Sequence, residues 1–316
     1  MLLFILKRIV SLAPVLFGVS VAAFLSLAWC PGDPAEIALR TLTESETPPK
    51  AAVAELREQM GLDRPLYVQY WRWLGRTLHG DLGHSYQTGA SVVSEVKRAL
   101  GPSTLLAGTS TLLAMLIVIP LGALSAARSG SLLDRATMAG SLVAISIPDF
   151  CIGILLFFIF SVRLDWLPVA GYGSVVNLIL PALTLAVASA CITTRLMRTC
   201  MVQALEEKYV ITARSKGMGE WRVAGLHAMK NALPPVLTYL GAQMGYLFGG
   251  AVVVESIFLW PGLGRLLVEA VKARDVYVVQ GCILAIACIY VLINLMVDIV
   301  QAWVDPRIQA GAHHAG

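Results

Sequence analysis

The residues able to do covalent or metal chemistry are few and poorly spaced for it. Five histidines, His79, His84, His227, His313 and His314, form no H-E-x-x-H pair, and the six cysteines contain no C-x-x-C. A borderline metal needs three or more convergent ligands, so the expectation is no catalytic residue and no metal site on this chain. No G-x-x-x-x-G-K-S/T occurs, so the chain carries no loop of its own to cradle the phosphates of ATP. Two groups of residues remain. The first is the acids inside apolar stretches, Asp149, Glu255 and Asp298, because an ionisable group at membrane depth is costly and faces protein interior or water. Asp149 follows Pro148, which frees a backbone carbonyl, and reads either as pathway lining or as a helix-packing hydrogen bond. Glu255 and Asp298 lie near helix ends, where a structural role is expected. The second group is Arg198 to Ala232, where basic Arg198, Lys208, Arg214, Lys216, Arg222 and Lys230 alternate with apolar Val210, Ile211, Ala213, Met218, Trp221 and Leu226. That pattern predicts two short amphipathic helices broken at Gly217 and Gly219, lying on anionic lipid or seated in a groove of another protein.

The elements that must position these residues are membrane spans. With 316 residues, 57% hydrophobic and 14% charged, and a mean hydropathy of +0.73, the chain departs from any soluble domain. The net charge of +4 forms no basic stripe interleaved with aromatics, so nucleic acid is not an expected partner. Apolar windows of spanning length fall near Ile9–Trp29, Ser103–Ala126, Ala136–Val162, Val176–Met197, Leu233–Ile257 and Val278–Val304. The first exceeds a signal-peptide core and lacks a small-residue cleavage site, so it is kept as a span. The expectation is an all-α membrane protein of six transmembrane helices.

Sidedness follows from the basic residues. With both termini inside, the 24 Lys and Arg split about 12 to 12, but eight of the outer ones lie in one segment of about 70 residues, beyond the length over which loop charge sets orientation. Setting those aside leaves about 12 against 4, which favours N-in, C-in. The long outer segment opens on the turn-forming Pro31-Gly-Asp-Pro34 and contains a short helix over Val53–Met60 stopped by Gly61. Its Pro65–Leu74 stretch mixes Tyr, Trp and Arg, suiting a helix at the membrane surface or packed on neighbouring spans. Gly241, Gly245 and Gly249 form a stripe of small residues for helix contact or pathway lining. Trp260-Pro-Gly-Leu-Gly264 reads as a re-entrant, gate-like element or a tight loop.

Several of these stretches carry a resemblance. Tyr209-Val-Ile-Thr-Ala-Arg-Ser-Lys-Gly-Met218 followed by Lys230-Asn-Ala-Leu-Pro-Pro235 resembles the coupling-helix motif of binding-protein-dependent ABC importer permeases. Pro31–Pro34, Gly61–Tyr70, Gly80-Asp-Leu-Gly83, Leu180–Leu185, Glu255–Gly264 and Asp305-Pro-Arg307 are similar, in the same order, to the dipeptide, oligopeptide and nickel branch. The general motif has Glu-Ala-Ala where this chain has Ile211-Thr212-Ala213.

The resemblance implies a type I ABC importer-like transmembrane domain with a cytoplasmic coupling helix. Residues 1–30 would be the N-terminal span, 31–100 an extracytoplasmic segment with short helices, 101–304 a five-helix permease core with the coupling loop at 198–232, and 305–316 a cytoplasmic tail. It also implies two cytosolic ATPase subunits that hold ATP and Mg, a second homologous permease, an extracytoplasmic binding protein, a lipid surround and a bacterial inner membrane, with no cofactor on this chain itself. Tyr209, Thr212, Ala213, Arg214, Lys216, Gly217, Asn231 and Pro234 would form the ATPase contact, with Ala213 and Gly217 allowing close packing and Arg214, Lys216 and Arg222 pairing with acids on the ATPase rim. Asp149, Gly245, Gly249 and Glu255 are the pathway or gate candidates. The cargo implied is small peptides, or nickel and metal chelates. An ion-gradient-driven secondary transporter is the alternative, with Asp149 as its ion site. If coupling is right, Arg214→Glu or a bulky residue at Gly217 abolishes transport while membrane insertion, measured by immunoblot of isolated membranes, is unchanged.

Overall fold

The computed structural model describes residues 2–29, 32–43 and 48–304. Cys30, Pro31, Glu44, Glu46, the Asp305-Pro-Arg307 motif and His313-His314 lie outside the described residues. In chain order the helices are α1 (Leu2–Trp29), α2 (Pro34–Thr43), α3 (Lys50–Met60), α4 (Leu66–Leu78), α5 (Val92–Ala127), α6 (Leu132–Ile145), α7 (Asp149–Phe157), α8 (Val175–Leu205), α9 (Lys208–Ser215), α10 (Glu220–Arg222), α11 (Met229–Gly250), α12 (Val252–Ile257), α13 (Leu263–Ala273) and α14 (Val276–Val304). A π-helical stretch extends α7 over Phe158–Arg163, and another, Val223–Ala228, joins α10 to α11. Among the described residues the only β pairing is the isolated bridge between His84 and Ser91.

All-helical structure is what lipid demands, since a helix satisfies its own backbone polar groups. Among the described residues three helices, Val92–Ala127, Val175–Leu205 and Val276–Gln301, are long and apolar enough to cross a membrane. The bent pair Leu132–Ile145 and Asp149–Arg163 makes a fourth if counted as one span, and Val10–Ser26 is a shorter apolar helix. At 36 residues α5 is about 54 Å long, well beyond a bilayer core of about 30 Å, so part of it extends outside the hydrocarbon.

One expected span is two helices. In place of a continuous helix over 136–162, α6 stops at Ile145 and α7 starts at Asp149, with a bend of 103° between them. Pro148 lacks an N–H and forces extended backbone before it, and it sits at φ −57°, ψ 141° as the residue preceding α7. Asp149 is therefore the first residue of a helix at a break, not a mid-span residue.

Contacts divide the chain into two compact units. The first is built on Thr104–Trp260 and the end of α14 from Leu292. Within it α8 packs against α6, α7 and α11. Their shared core is made largely of small residues: Ala114, Val118 and Ala126 of α5, Ala186, Ala190 and Ala204 of α8, Ala228 of the π-helical stretch and Ala232 of α11, with Met197 and Met201 filling the gaps. A Cβ placed on Gly122 would lie 2.5 Å from Cγ of Met197 and 3.2 Å from the carbonyl oxygen of Thr194. Gly241 of the expected stripe similarly meets Val297 of α14 at 2.4 Å, while Gly245 is buried and Gly249 exposed.

The second unit is built on Lys7–Ser103 and Pro261–Val291. Tyr70 and Trp73 of α4 bury against Phe24 of α1, and the hydroxyls of Ser20 and Tyr70 are 2.8 Å apart, while Tyr67 and Trp71 stay exposed. Thus α4 packs on α1 with one face and presents aromatics on the other. Asp33 caps α2 by accepting the N–H of Ala35 at 3.0 Å, with Pro34 at the first helical position. Gly61, at φ 70°, ends α3. Asp275 closes three segments together. Its N–H donates to the carbonyl of Ala270 at the end of α13, and its carbonyl accepts the N–H of Val279 in α14. Its carboxylate accepts from Ser85 Oγ at 2.6 Å and from the Gln87 N–H at 3.4 Å.

Gly122→Leu is expected to destabilise the folded chain by about 1–3 kcal/mol through overpacking against Met197. Gly108→Ala, where a Cβ meets nothing within 4 Å, is expected to leave stability unchanged or slightly raised. Thermal unfolding of the two detergent-solubilised variants, followed by fluorescence-detected size exclusion, checks the difference.

Candidate functional site

The basic-apolar stretch folds into one compact turn. α9 is eight residues long, and its inward face, Val210 and Ala213, is buried against Val223, with Leu205 and Met218 packed beside them. Its end follows from Gly217, which sits at φ 77° in the left-handed region. The Gly217 N–H donates to the Arg214 carbonyl at 2.9 Å and the Met218 N–H to the Ala213 carbonyl at 3.3 Å, the paired bonds of a Schellman ending. The accompanying apolar contact is Met218 on the same small cluster as Ala213. After Gly219 the chain enters α10, which runs through the π-helical stretch directly into α11. The second expected short helix is therefore the leading end of a long helix. Pro234 and Pro235 lie inside α11 and leave the carbonyls of Lys230 and Asn231 without their usual N–H partners.

The sequence-derived contact residues separate into different roles. Tyr209 and Thr212 are exposed on α9, as are Lys216 and Gly217 at its end. Ala213 points inward and packs on its own chain. Asn231 is exposed on α11, its Nδ2 donating to the His227 carbonyl at 3.3 Å, and Pro234 is half-buried one turn further on. Arg214 is already engaged: its Nε donates to Glu220 Oε1 at 2.8 Å and its Nη2 to Oε2 at 3.0 Å. This bidentate pair holds the Glu220 carboxyl below the usual carboxylate range and braces the turn from outside. Arg214 thus directs its fork within the loop, to an acid of its own chain. Exposed around the turn are Tyr209, Ile211, Trp221 and Leu226, with Trp221 70% exposed.

A second cluster escaped the sequence reading. Asp134, in the first turn of α6, is buried, and Arg198 of α8 grips it with Nε at 2.5 Å from Oδ1 and Nη2 at 2.8 Å from Oδ2. Ser125 Oγ donates to Oδ1 at 2.5 Å and the Gly130 N–H to Oδ2 at 2.8 Å. Only the Ser131-x-x-Asp134 spacing of a helix start hinted at it. Ser131 does cap α6 by accepting the Asp134 N–H, but the Asp134 carboxylate turns away to Arg198, a pairing across 64 residues.

The pathway candidates lie in contrasting settings. Asp149 is exposed at the α6–α7 break, and Glu255 of α12 is buried at 2% exposure. Past Glu255, the Trp260 N–H donates to the Glu255 carbonyl at 2.8 Å, the Trp260 ring meets Tyr172 edge-on at 4.9 Å, and Leu259 takes a positive φ of 51°. Gly153 of α7 lies against Thr184 and Phe258, where a Cβ would come within 3.1 Å. Among the described residues no three His, Cys, Asp or Glu side chains converge as metal ligands.

Residues 118–310 match the family model of the binding-protein-dependent transport system inner membrane component, and residues 1–106 match the N-terminal model of the same systems. The chain belongs to this family. It is a permease of the ABC importer class and an inner-membrane, multi-pass protein, and it is not an enzyme, since ATP hydrolysis in such transporters is done by separate ATPase subunits. Among its relatives is the glutathione transport system permease protein GsiC of Escherichia coli strain K12, 41% identical over 310 residues, which span 98% of this chain and 99% of that protein. The protein of the same name in Salmonella paratyphi A is 40% identical over 309 residues, with the same coverage, and that of Escherichia coli O6:H1 is 42% identical over 310. As a permease of this class the chain works with ATPase and binding-protein components.

Placing a β-branched residue in the left-handed region costs about 1–2 kcal/mol, whereas Asn tolerates it. Gly217→Val is therefore expected to loosen the α9 turn and speed tryptic cleavage at Arg214 and Lys216, with Gly217→Asn close to wild type. Timed limited proteolysis of the purified permease reads the difference.

Proposed function

We propose that this permease is one of two homologous six-span subunits of an ATP-driven importer in a bacterial inner membrane, with both termini cytoplasmic. Residues 1–30 form its first span, 31–100 the extracytoplasmic segment, 101–304 the permease core and 305–316 the cytoplasmic tail. The α9 turn is the part that seats on a cytosolic ATPase subunit. The supporting observation is the contrast between its two sides: Val210, Ala213 and Val223 are buried within the chain, while Tyr209, Ile211, Trp221 and Leu226 are left exposed on a turn braced by Arg214 and Glu220. A rigid turn with unpartnered aromatic and aliphatic anchors fits a groove on a partner protein. Thr212, Lys216 and Asn231 border that surface, Gly217 sets its end, and Pro234 lies in the helix behind it.

ATP and Mg bind on two such ATPase subunits, and ATP's preference for the closed ATPase dimer drives the transport step. Closure carries the seated α9 with it, and the core alternates between facing outward and inward. Asp149, at the helix break, lines the pathway. The buried Glu255 holds the Trp260 turn beside it, Gly245 keeps α11 close to its neighbours, and Gly249 faces the path. An extracytoplasmic binding protein delivers the cargo. The GsiC relatives are named for glutathione, which favours a small peptide of that kind over nickel or a metal chelate.

The test is purification of the tagged permease from its native membrane with identification of what stays bound. P-loop ATPases and a second permease are expected with the wild-type chain. Trp221→Ala and Ile211→Asp are expected to reduce ATPase retention at least about tenfold, the scale of losing an interface anchor, with membrane yield unchanged. Full ATPase retention by both variants places the docking surface elsewhere.

A further inference from the structure

We propose that the Asp134–Arg198 ion pair is the link that passes movement of the α9 turn to the broken α6–α7 helix, making Asp134 and Arg198 positioning residues of the transport cycle. The inference rests on α9 being the ATPase-coupled element.

Arg198 lies seven residues, about 10 Å, before the end of α8 at Leu205, and Leu205 is itself packed on the buried face of α9. Displacement of α9 therefore reaches α8 through direct contact. From α8 there are two attachments to α6. One is the ion pair, in which both carboxylate oxygens of Asp134 are occupied by four donors from Arg198, Ser125 and Gly130, while Arg198 Nη2 also reaches Ser129 Oγ at 3.2 Å. This fixes the end of α5, the turn after it and the start of α6 to α8 as one body.

The other attachment is the packing of the two helices. Immediately beyond the ion pair, a groove of about 250 Å³ opens beside that packing, where Thr137 and Gly140 of α6 meet Val187 and Cys191 of α8 and Ile117 and Leu121 of α5. A Cβ on Gly140 would meet nothing within 4 Å. By contrast α5 meets α8 in the tight contact of Gly122 on Met197. So α6 is clamped to α8 by charge at its first turn, and over the next two it is held by packing beside an open groove. Its far end, about 17 Å on, is the bend before Pro148 and Asp149. A helix pinned at one end beside a groove and broken at the other converts a small shift of α8 into a larger one at the break. Charge and geometry both matter to the pin, because only a guanidinium fork meets the two carboxylate oxygens together.

The experiment uses the complete importer in proteoliposomes, with glutathione as the cargo probe, and measures uptake and ATP hydrolysis separately with and without binding protein. Asp134→Asn and Arg198→Lys are expected to cut uptake about tenfold, within the 5–150-fold range of couplings between distant sites. Binding-protein-stimulated hydrolysis should stay within about twofold of wild type, because the α9 surface is intact, and Asp134→Glu should recover most of the uptake. Gly140→Leu, which fills the groove without touching the ion pair, is expected to give the same split and stands as the check if the charge variants do not assemble. Uptake and hydrolysis that fall in parallel, or wild-type uptake by Asp134→Asn or Gly140→Leu, overturn the link. A wild-type complex whose hydrolysis ignores the binding protein overturns the coupling reading itself, and is told apart because it needs no variant.

Discussion

Helices surrounded by lipid gain nothing from hiding apolar side chains from one another, because hydrocarbon already surrounds them. What holds them is close van der Waals approach, and that requires small residues where two backbones meet. In this permease the requirement falls mostly on α8, whose Ala186, Ala190 and Ala204 face helices on several sides and whose Met197 fills the space left by Gly122. The position of α8 then determines much else in its unit. Its C-terminal end sets where α9 begins, and its Arg198 sets where α6 begins. Large apolar side chains are spent on the outside: Leu112, Leu116, Leu142 and Val143 are all exposed, as a lipid-facing surface allows.

Polar interactions are concentrated at helix ends, and each solves a local problem. Arg214 and Glu220 brace the α9 turn, Asp134 and Arg198 join α6 to α8, and Asp275 joins α13, α14 and the loop around Ser85. Pairs placed there can hold while the helices shift relative to one another. Among the described residues the bent pair of apolar helices, α6 and α7, is broken at Pro148 by a covalent feature of proline.

Much of this was legible in the sequence, for reasons that can be named. Helix character followed from hydropathy, because in lipid the backbone has no alternative. The stop after Met60 and the end of α9 followed from Gly61 and Gly217, which take the positive φ that other residues avoid. The order of motifs gave the family. Less legible was anything that depended on who meets whom. Arg214 looks the same in sequence whether it pairs with Glu220 or with another protein. Asp134 lies 64 residues from Arg198, and only packing shows that it is buried. Pro148 was noticed for the carbonyl it frees, but the size of the bend depends on what α6 and α7 pack against. The joining of α10 to α11 through a π-helical stretch has no short-range signature, since Gly219 marks where a helix starts and not how far it continues.

Asp275 has a consequence for how the protein is made. The serine that its carboxylate holds lies 190 residues earlier in the chain. At synthesis rates of about 5–20 residues per second, Ser85 emerges roughly 10–40 s before its acceptor exists. Through that interval the loop around Ser85 has no partner at that position, and Gly83 has no Tyr277 ring against it, whichever side of the membrane it already occupies. The second unit, built on Lys7–Ser103 and Pro261–Val291, is thus closed only after its later segment has been made.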